Sequence, residues 1–113
     1  MPPILRLRDR WGREIVLTEE IWFDHVLPGH RELAAHLSAV ERTIVDADQV
    51  NRDAGASNRE NFYLMGALPD PYQHLYLKVC VQFQRSAADA IIGRVVTAFP
   101  ARKIKASEVK RWP

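Results

Sequence analysis

Apolar and polar residues alternate without exception from Leu75 to Gln84. Leu75, Leu77, Val79, Val81 and Phe83 stand against Tyr76, Lys78, Cys80, Gln82 and Gln84. A period of two predicts a strand over 74–84, with one face in the core and the other polar and available. A shorter alternation sets Leu5 and Leu7 against Arg6 and Arg8. It leads into a turn at Asp9-Arg10-Trp11-Gly12 and a returning run, Ile15-Val16-Leu17. Residues 4–17 therefore read as a β-hairpin, with Gly12 supplying the positive φ that a tight turn often needs.

The period changes at Thr18. This residue suits an N-cap, Glu19 and Glu20 complement the helix dipole, and Ile21, Trp22, His25 and Val26 fall on one helical stripe. The helix is expected to stop before Pro28, because a residue preceding proline avoids the α region. A second helix starts near Arg31 or Glu32 and carries Leu33, Leu37, Val40 and Ile44 on one continuous apolar face, ending around Asp46–Asp48. A short strand at 49–53 and a strand at 59–65 flank the turn-forming A-G-A-S-N, and a proline-containing loop follows from Gly66 to Tyr72. After a turn at 86–89, Ile91–Phe99 forms the last strand, ended by Pro100. Residues 102–113 carry five bases and no clear period.

Helices followed by strands indicate an α+β fold, with an N-terminal β-hairpin and two helices packed on a four-stranded antiparallel sheet. The whole chain, 1–113, reads as a single domain: hairpin 1–17, helix pair 18–47, sheet 48–100 and basic tail 101–113. A chain of 113 residues can bury a core without disulfides. Cys80 stands alone, so no intrachain disulfide is available. No apolar run reaches the roughly 20 residues a membrane helix requires, and no signal-peptide segment opens the chain. The expectation is a cytoplasmic protein with no membrane partner, or one delivered into a target-cell cytoplasm as part of a larger effector. Charge is unevenly distributed. Residues 18–53 carry eight acids and three bases, and residues 85–113 carry seven bases and two acids. The basic end suits a polyanionic partner, and a solvated tail would look the same.

Several chemistries are excluded. His25, His30 and His36 have spacings of five and six, so no two share a helical face as metal ligands, and no metal or other cofactor is expected. A serine-hydrolase elbow, a P-loop and a dinucleotide fingerprint are absent. Cys80 in mid-strand has no activating motif. The pair His25 and His30 is the remaining candidate. His25 near the end of one helix would favour its protonated form, and His30 at the start of the next its neutral form, as acid–base chemistry uses. A core role for His25 and a capping role for His30 fit the same spacing. Arg59 offers a planar fork for phosphate and Thr97 a hydroxyl, if the fold brings them close.

The succession W-F-D-H-V-L-P-G-H-R-E-L, N-R-E-N-F-Y, L-Y-L-K-V-C-V and R-V-V-T-A-F resembles the phage-borne nuclease domains of the BECR superfamily (barnase, EndoU, colicin tRNases, RelE) over roughly 18–104. The resemblance implies a metal-independent ribonuclease, often a toxin, that cleaves RNA by transesterification to a 2′,3′-cyclic phosphate. It places catalytic positions at His25, His30, Arg59 and Thr97. Tyr63, Lys78, Arg94, Arg102 and Lys103 are candidate substrate-binding residues. Implied partners are RNA (tRNA or another single-stranded RNA) and a cognate antitoxin or immunity protein. A non-catalytic RNA- or protein-binding module on the same scaffold is the alternative. The long proline-containing loop and Gly93-Arg94 in the last strand depart from the family pattern.

Overall fold

The hairpin forms as the alternation predicts. In the computed structural model, β1 (Leu5–Arg8) pairs antiparallel with β2 (Glu14–Leu17), placing Leu5 opposite Leu17, and Gly12 turns with φ of 79°. The structure describes residues 3–113; Met1 and Pro2, which open the predicted segment 1–17, lie outside the described residues.

This hairpin is part of the main sheet. β2 pairs in parallel with β6 (Ile91–Ala101), Ile15 lying opposite Gly93 and Val16 opposite Arg94. β6 pairs antiparallel with β5 (Tyr76–Arg85), β5 with β4 (Arg59–Met65), and β4 with β3 (Gln49–Arg52). The segment expected to be a basic tail supplies β7 (Val109–Trp112), antiparallel to β3. Among the described residues the fold is α+β, with a mixed seven-stranded sheet in the order β1-β2-β6-β5-β4-β3-β7. The four-stranded antiparallel sheet expected from the sequence is thus extended at both edges. Docking β2 on β6 buries Ile15 and Leu17, which a free hairpin would leave in water.

The helical segment also departs from expectation. Thr18 Oγ1 accepts a hydrogen bond from the Ile21 amide at 3.2 Å, as a cap should. Helix α1 (19–29) then runs past Pro28, because its centre, Ile21–Val26, is a wide π turn that leads into an α turn over Leu27–Gly29. In a π turn each N–H reaches back five residues, as the Leu27 amide does to the Trp22 carbonyl. The wider turn relieves the clash that a proline ring makes in a regular helix. It also rotates His25 off the stripe: Trp22 and Val26 are buried and His25 is exposed. The second helix is interrupted. A 3-10 turn over Arg31–Leu33 precedes α2 (Leu37–Val45), with His36 in a non-helical conformation between them. The apolar face survives this break, with Leu33, Val40 and Ile44 fully buried and Leu37 partly so.

The helices cover one face of the sheet. Trp22, Val26, Leu33, Val40 and Ile44 pack with Ile15, Leu17, Val50, Phe62, Leu77, Val79 and Val81 in one cluster. One end of this core is closed by Arg13, which binds Asp9 at 2.8 Å and both oxygens of Glu60 at 2.7 and 3.0 Å. That fork makes the buried Glu60 carboxylate tolerable on an otherwise apolar face. No helix among the described residues is long and apolar enough to cross a membrane.

Candidate functional site

The sheet face turned away from α2 is polar, and its register sets the side chains in rows, because directly paired residues point to the same side. One row runs Arg6, Val16, Arg94, Gln82, Arg59 across β1, β2, β6, β5 and β4. The next contains Thr97, Cys80, Asn61 and Asn51, and a third Phe99, Lys78, Tyr63 and Gln49. Arg59 and Arg94 are exposed, and two strand spacings, about 10 Å, separate their backbones.

Thr97 reaches this face only because β6 is irregular. Val81 pairs with Val95 and Cys80 with Thr97, so Val96 is an extra residue, a β-bulge. Strict alternation from Gly93 and Val95 would send Thr97 into the core. The bulge turns it to the side of Arg94 and Arg59, as bulges re-aim side chains beside active sites elsewhere.

Helix α1 walls this face along the stretch of β6 that β2 leaves unpaired. Ile21, near its start, lines a pocket together with Val96 of the bulge and Arg94; His30, just past its end, stacks on Phe99 with ring centroids 5.7 Å apart. The His30 Nδ1 lies 3.2 Å from Glu32 Oε2. A carboxylate there orients the ring and leaves Nε2 as the nitrogen free to exchange a proton. His30 is both the C-cap of α1 and the N-cap of the 3-10 turn over Arg31–Leu33, at the break between the two helical segments where the sequence puts it. His25 sits on the same helix, exposed. Among the described residues it makes no hydrogen bond or ring contact with His30, Arg59 or Thr97. Sequence reasoning thus finds Arg59, Thr97, Arg94 and His30 on or beside one face. It misses Glu32 and Phe99, although Glu32 stands two residues from His30.

Two of the expected substrate contacts are sealed. Lys78 and Tyr63 are on the polar face but buried, because the chain after β6 folds back and inserts Glu108. Tyr63 Oη donates to Glu108 Oε1 at 2.7 Å, Lys78 Nζ to Oε2 at 3.1 Å, and Asn51 Nδ2 to Oε1 at 3.2 Å. Burial, then the Glu108 carboxylate, pushes the Tyr63 hydroxyl well above its ordinary range. Lys78 and Tyr63 are thus occupied as structural partners, contrary to expectation. The polarity of their face in sequence gave no sign of a cover. A visible signal was Glu108 itself, the single acid among five bases in 102–113. Arg102 and Lys103 are exposed in the same connection.

Cys80 lies between the sealed and open parts, and burial raises its thiol to about 11. It is protonated at neutral pH and unsuited to nucleophilic attack. Hydrogen bonding from Asn61 first, despite the opposing effect of burial, holds the Asp53 carboxyl below its ordinary value. Among the described residues no three His, Cys, Asp or Glu side chains gather as metal ligands would. Arg59 Nε donates to Gln82 Oε1 at 3.2 Å, fixing one amide of the open row. No protein-family model, curated protein or solved structure matches the chain.

Proposed function

We propose that the open half of this face binds and cleaves RNA without a metal ion. The reading is carried by the bulge at Val96, which turns Thr97 onto the face that holds Arg59 and Arg94; the His30–Glu32 pair stands further along β6, where His30 stacks on Phe99. Two arginines on strands about 10 Å apart, one on each side of β5, suit a phosphodiester lying across that strand. His30, held at Nδ1 by Glu32, exchanges the proton. The ribose 2′ oxygen loses its hydrogen and bonds to phosphorus, the bond from phosphorus to the 5′ oxygen breaks, and that oxygen leaves protonated. A 2′,3′-cyclic phosphate remains. Arg59 and Arg94 stabilise the more negative phosphorane, and Thr97 hydrogen-bonds one of its oxygens. His25, on the same helix, is the candidate for the second proton transfer.

The test is incubation with total RNA in EDTA, beside His30→Ala. Cleavage that resists chelation, leaves cyclic-phosphate ends and falls by about 10²–10⁴-fold in the variant supports the reading. Intact RNA with the folded wild-type protein sinks it. The row Arg6, Arg94 and Arg59 then favours the second reading, a non-catalytic RNA-binding module that tracks the phosphate backbone.

A further inference from the structure

The three donors that hold Glu108 come from three neighbouring strands and converge on one point of the polar face. Tyr63 Oη and Asn51 Nδ2 donate to Oε1 at 2.7 and 3.2 Å, and Lys78 Nζ donates to Oε2 at 3.1 Å. Two of the three are set in place by other groups. Gln49 Nε2 donates to Asn51 Oδ1 at 2.8 Å, which leaves the Asn51 NH₂ as the end turned to the carboxylate. The Lys78 ammonium lies 5.4 Å from the ring centre of Tyr63 and 5.5 Å from that of Phe99, so two aromatic rings help to hold it. A buried ammonium, a hydroxyl and an amide aimed at two oxygens are the donor set of an anion site.

The carboxylate reaches this point on a segment that is otherwise lightly held. From Arg102 to Pro113, Glu108 is the only buried residue; Ile104 and Trp112 are half-buried and the rest are exposed. The other fastenings are the four-residue β7 on β3, Arg10 lying 3.3 Å from the centre of the Trp112 ring, and Arg111 on Glu60 at 3.6 Å. An edge strand with so little apolar burial belongs to the part of a fold that opens locally. Desolvation offsets most of the attraction in a buried ion pair, so another anion that satisfies the same donors can take the place of Glu108.

We propose that Lys78, Tyr63 and Asn51 form a phosphate site, that Glu108 occupies it as an internal competitor, and that residues 102–112 are the strap that shuts it. A phosphate presents two oxygens to the same donors and carries the charge that Lys78 requires. Phe99 joins the site to the rest of the face, because Lys78 lies against its ring and His30 stacks on the same ring at 5.7 Å. Gln82, in the row of Arg59 and Arg94, is four residues from Lys78 along β5, about 13 Å. Opening the strap thus adds a second phosphate contact for an RNA strand, on the side of His30. That last step rests on the ribonuclease reading; the phosphate site itself does not.

The experiment compares wild type, Glu108→Ala, and Glu108→Ala combined with Lys78→Met by thermal unfolding, in inorganic phosphate and in sodium chloride of equal ionic strength. In Glu108→Ala, phosphate at ten times its dissociation constant is expected to raise Tm by about 5 °C over chloride, with no such rise in the other two proteins. Where Glu108→Ala is unfolded in chloride, folding on addition of phosphate is the same result, and Glu108→Gln, which keeps the side-chain volume, is titrated beside it. Equal responses to phosphate and chloride, or a rise that survives Lys78→Met, overturn the site. RNA cleavage in EDTA is followed in parallel. At low RNA concentration Glu108→Gln is expected to cut about tenfold faster than wild type, and an unchanged rate overturns the strap as a gate. Phosphate-specific stabilisation with uncut RNA keeps the site and removes the ribonuclease reading. Cut RNA without that stabilisation does the reverse.

Discussion

The polar face of the sheet has two halves built from the same strands by the same alternation, and they end in opposite states. Towards Arg59, Gln82 and Arg94 the side chains meet solvent and a pocket. Towards Lys78 and Tyr63 they meet Glu108, which fills their hydrogen-bonding capacity and takes them out of water. Lys78 and Gln82 are four residues apart on one strand, yet a residue 30 positions beyond Lys78 decides that it is buried. A charged residue on a polar face becomes a ligand contact only where no other part of the chain claims it.

The strongest way to break this contrast is Glu108→Ala. It leaves Lys78 as an uncompensated buried charge, and unfolding in urea is expected to show a loss of about 3–5 kcal/mol. A loss under about 1 kcal/mol would mean that the seal is loose and that Lys78 belongs with the open half. Gly93→Val comes next, because it attacks the open half from behind. A Cβ at Gly93 falls 2.7 Å from Phe83, 2.8 Å from Val81 and 3.0 Å from Ile15, all carbon atoms of a packed face. Overpacking there is expected to cost about 1–3 kcal/mol, read as a lowered Tm. An unchanged Tm would show that the parallel β2–β6 contact is not tight. The smallest effect on stability belongs to Arg94→Ala, which is exposed and is expected to stay within about 0.5 kcal/mol of wild type. The same variant should weaken RNA binding and reduce its salt slope by about one. A large stability loss with unaltered RNA affinity would place Arg94 in the structural half.

The two halves also differ in how far the sequence reveals them. Alternation along β5 identifies the polar face, and hairpin chemistry places β1, β2 and Gly12 correctly. Arg59 falls on that face through simple pairing with Gln82. Thr97 does not, because alternation alone points it inward and a single inserted residue reverses it. The π turn is similarly hidden: a regular helix would have buried His25, and the wider one exposes it. The parallel union of β2 with β6 and the addition of β7 depend on which edges remain open after the rest has folded. That is a property of the whole sheet and leaves no local pattern. The interruption of the second helical segment at His36 changes the backbone and spares the apolar face, because burial of Leu33, Val40 and Ile44 follows from packing and not from unbroken winding.

The position of Glu108 along the chain carries a consequence for the order of folding. Lys78 and Tyr63 stand 30 and 45 residues before the carboxylate that neutralises the lysine and accepts from the tyrosine. Until the segment after β6 has docked, the sheet holds a lysine without its counterion and a β3 edge without its neighbour. Long-range contacts of this kind form late and slowly. The polar face therefore reaches its final electrostatic form only when Glu108 and β7 have docked on the sheet.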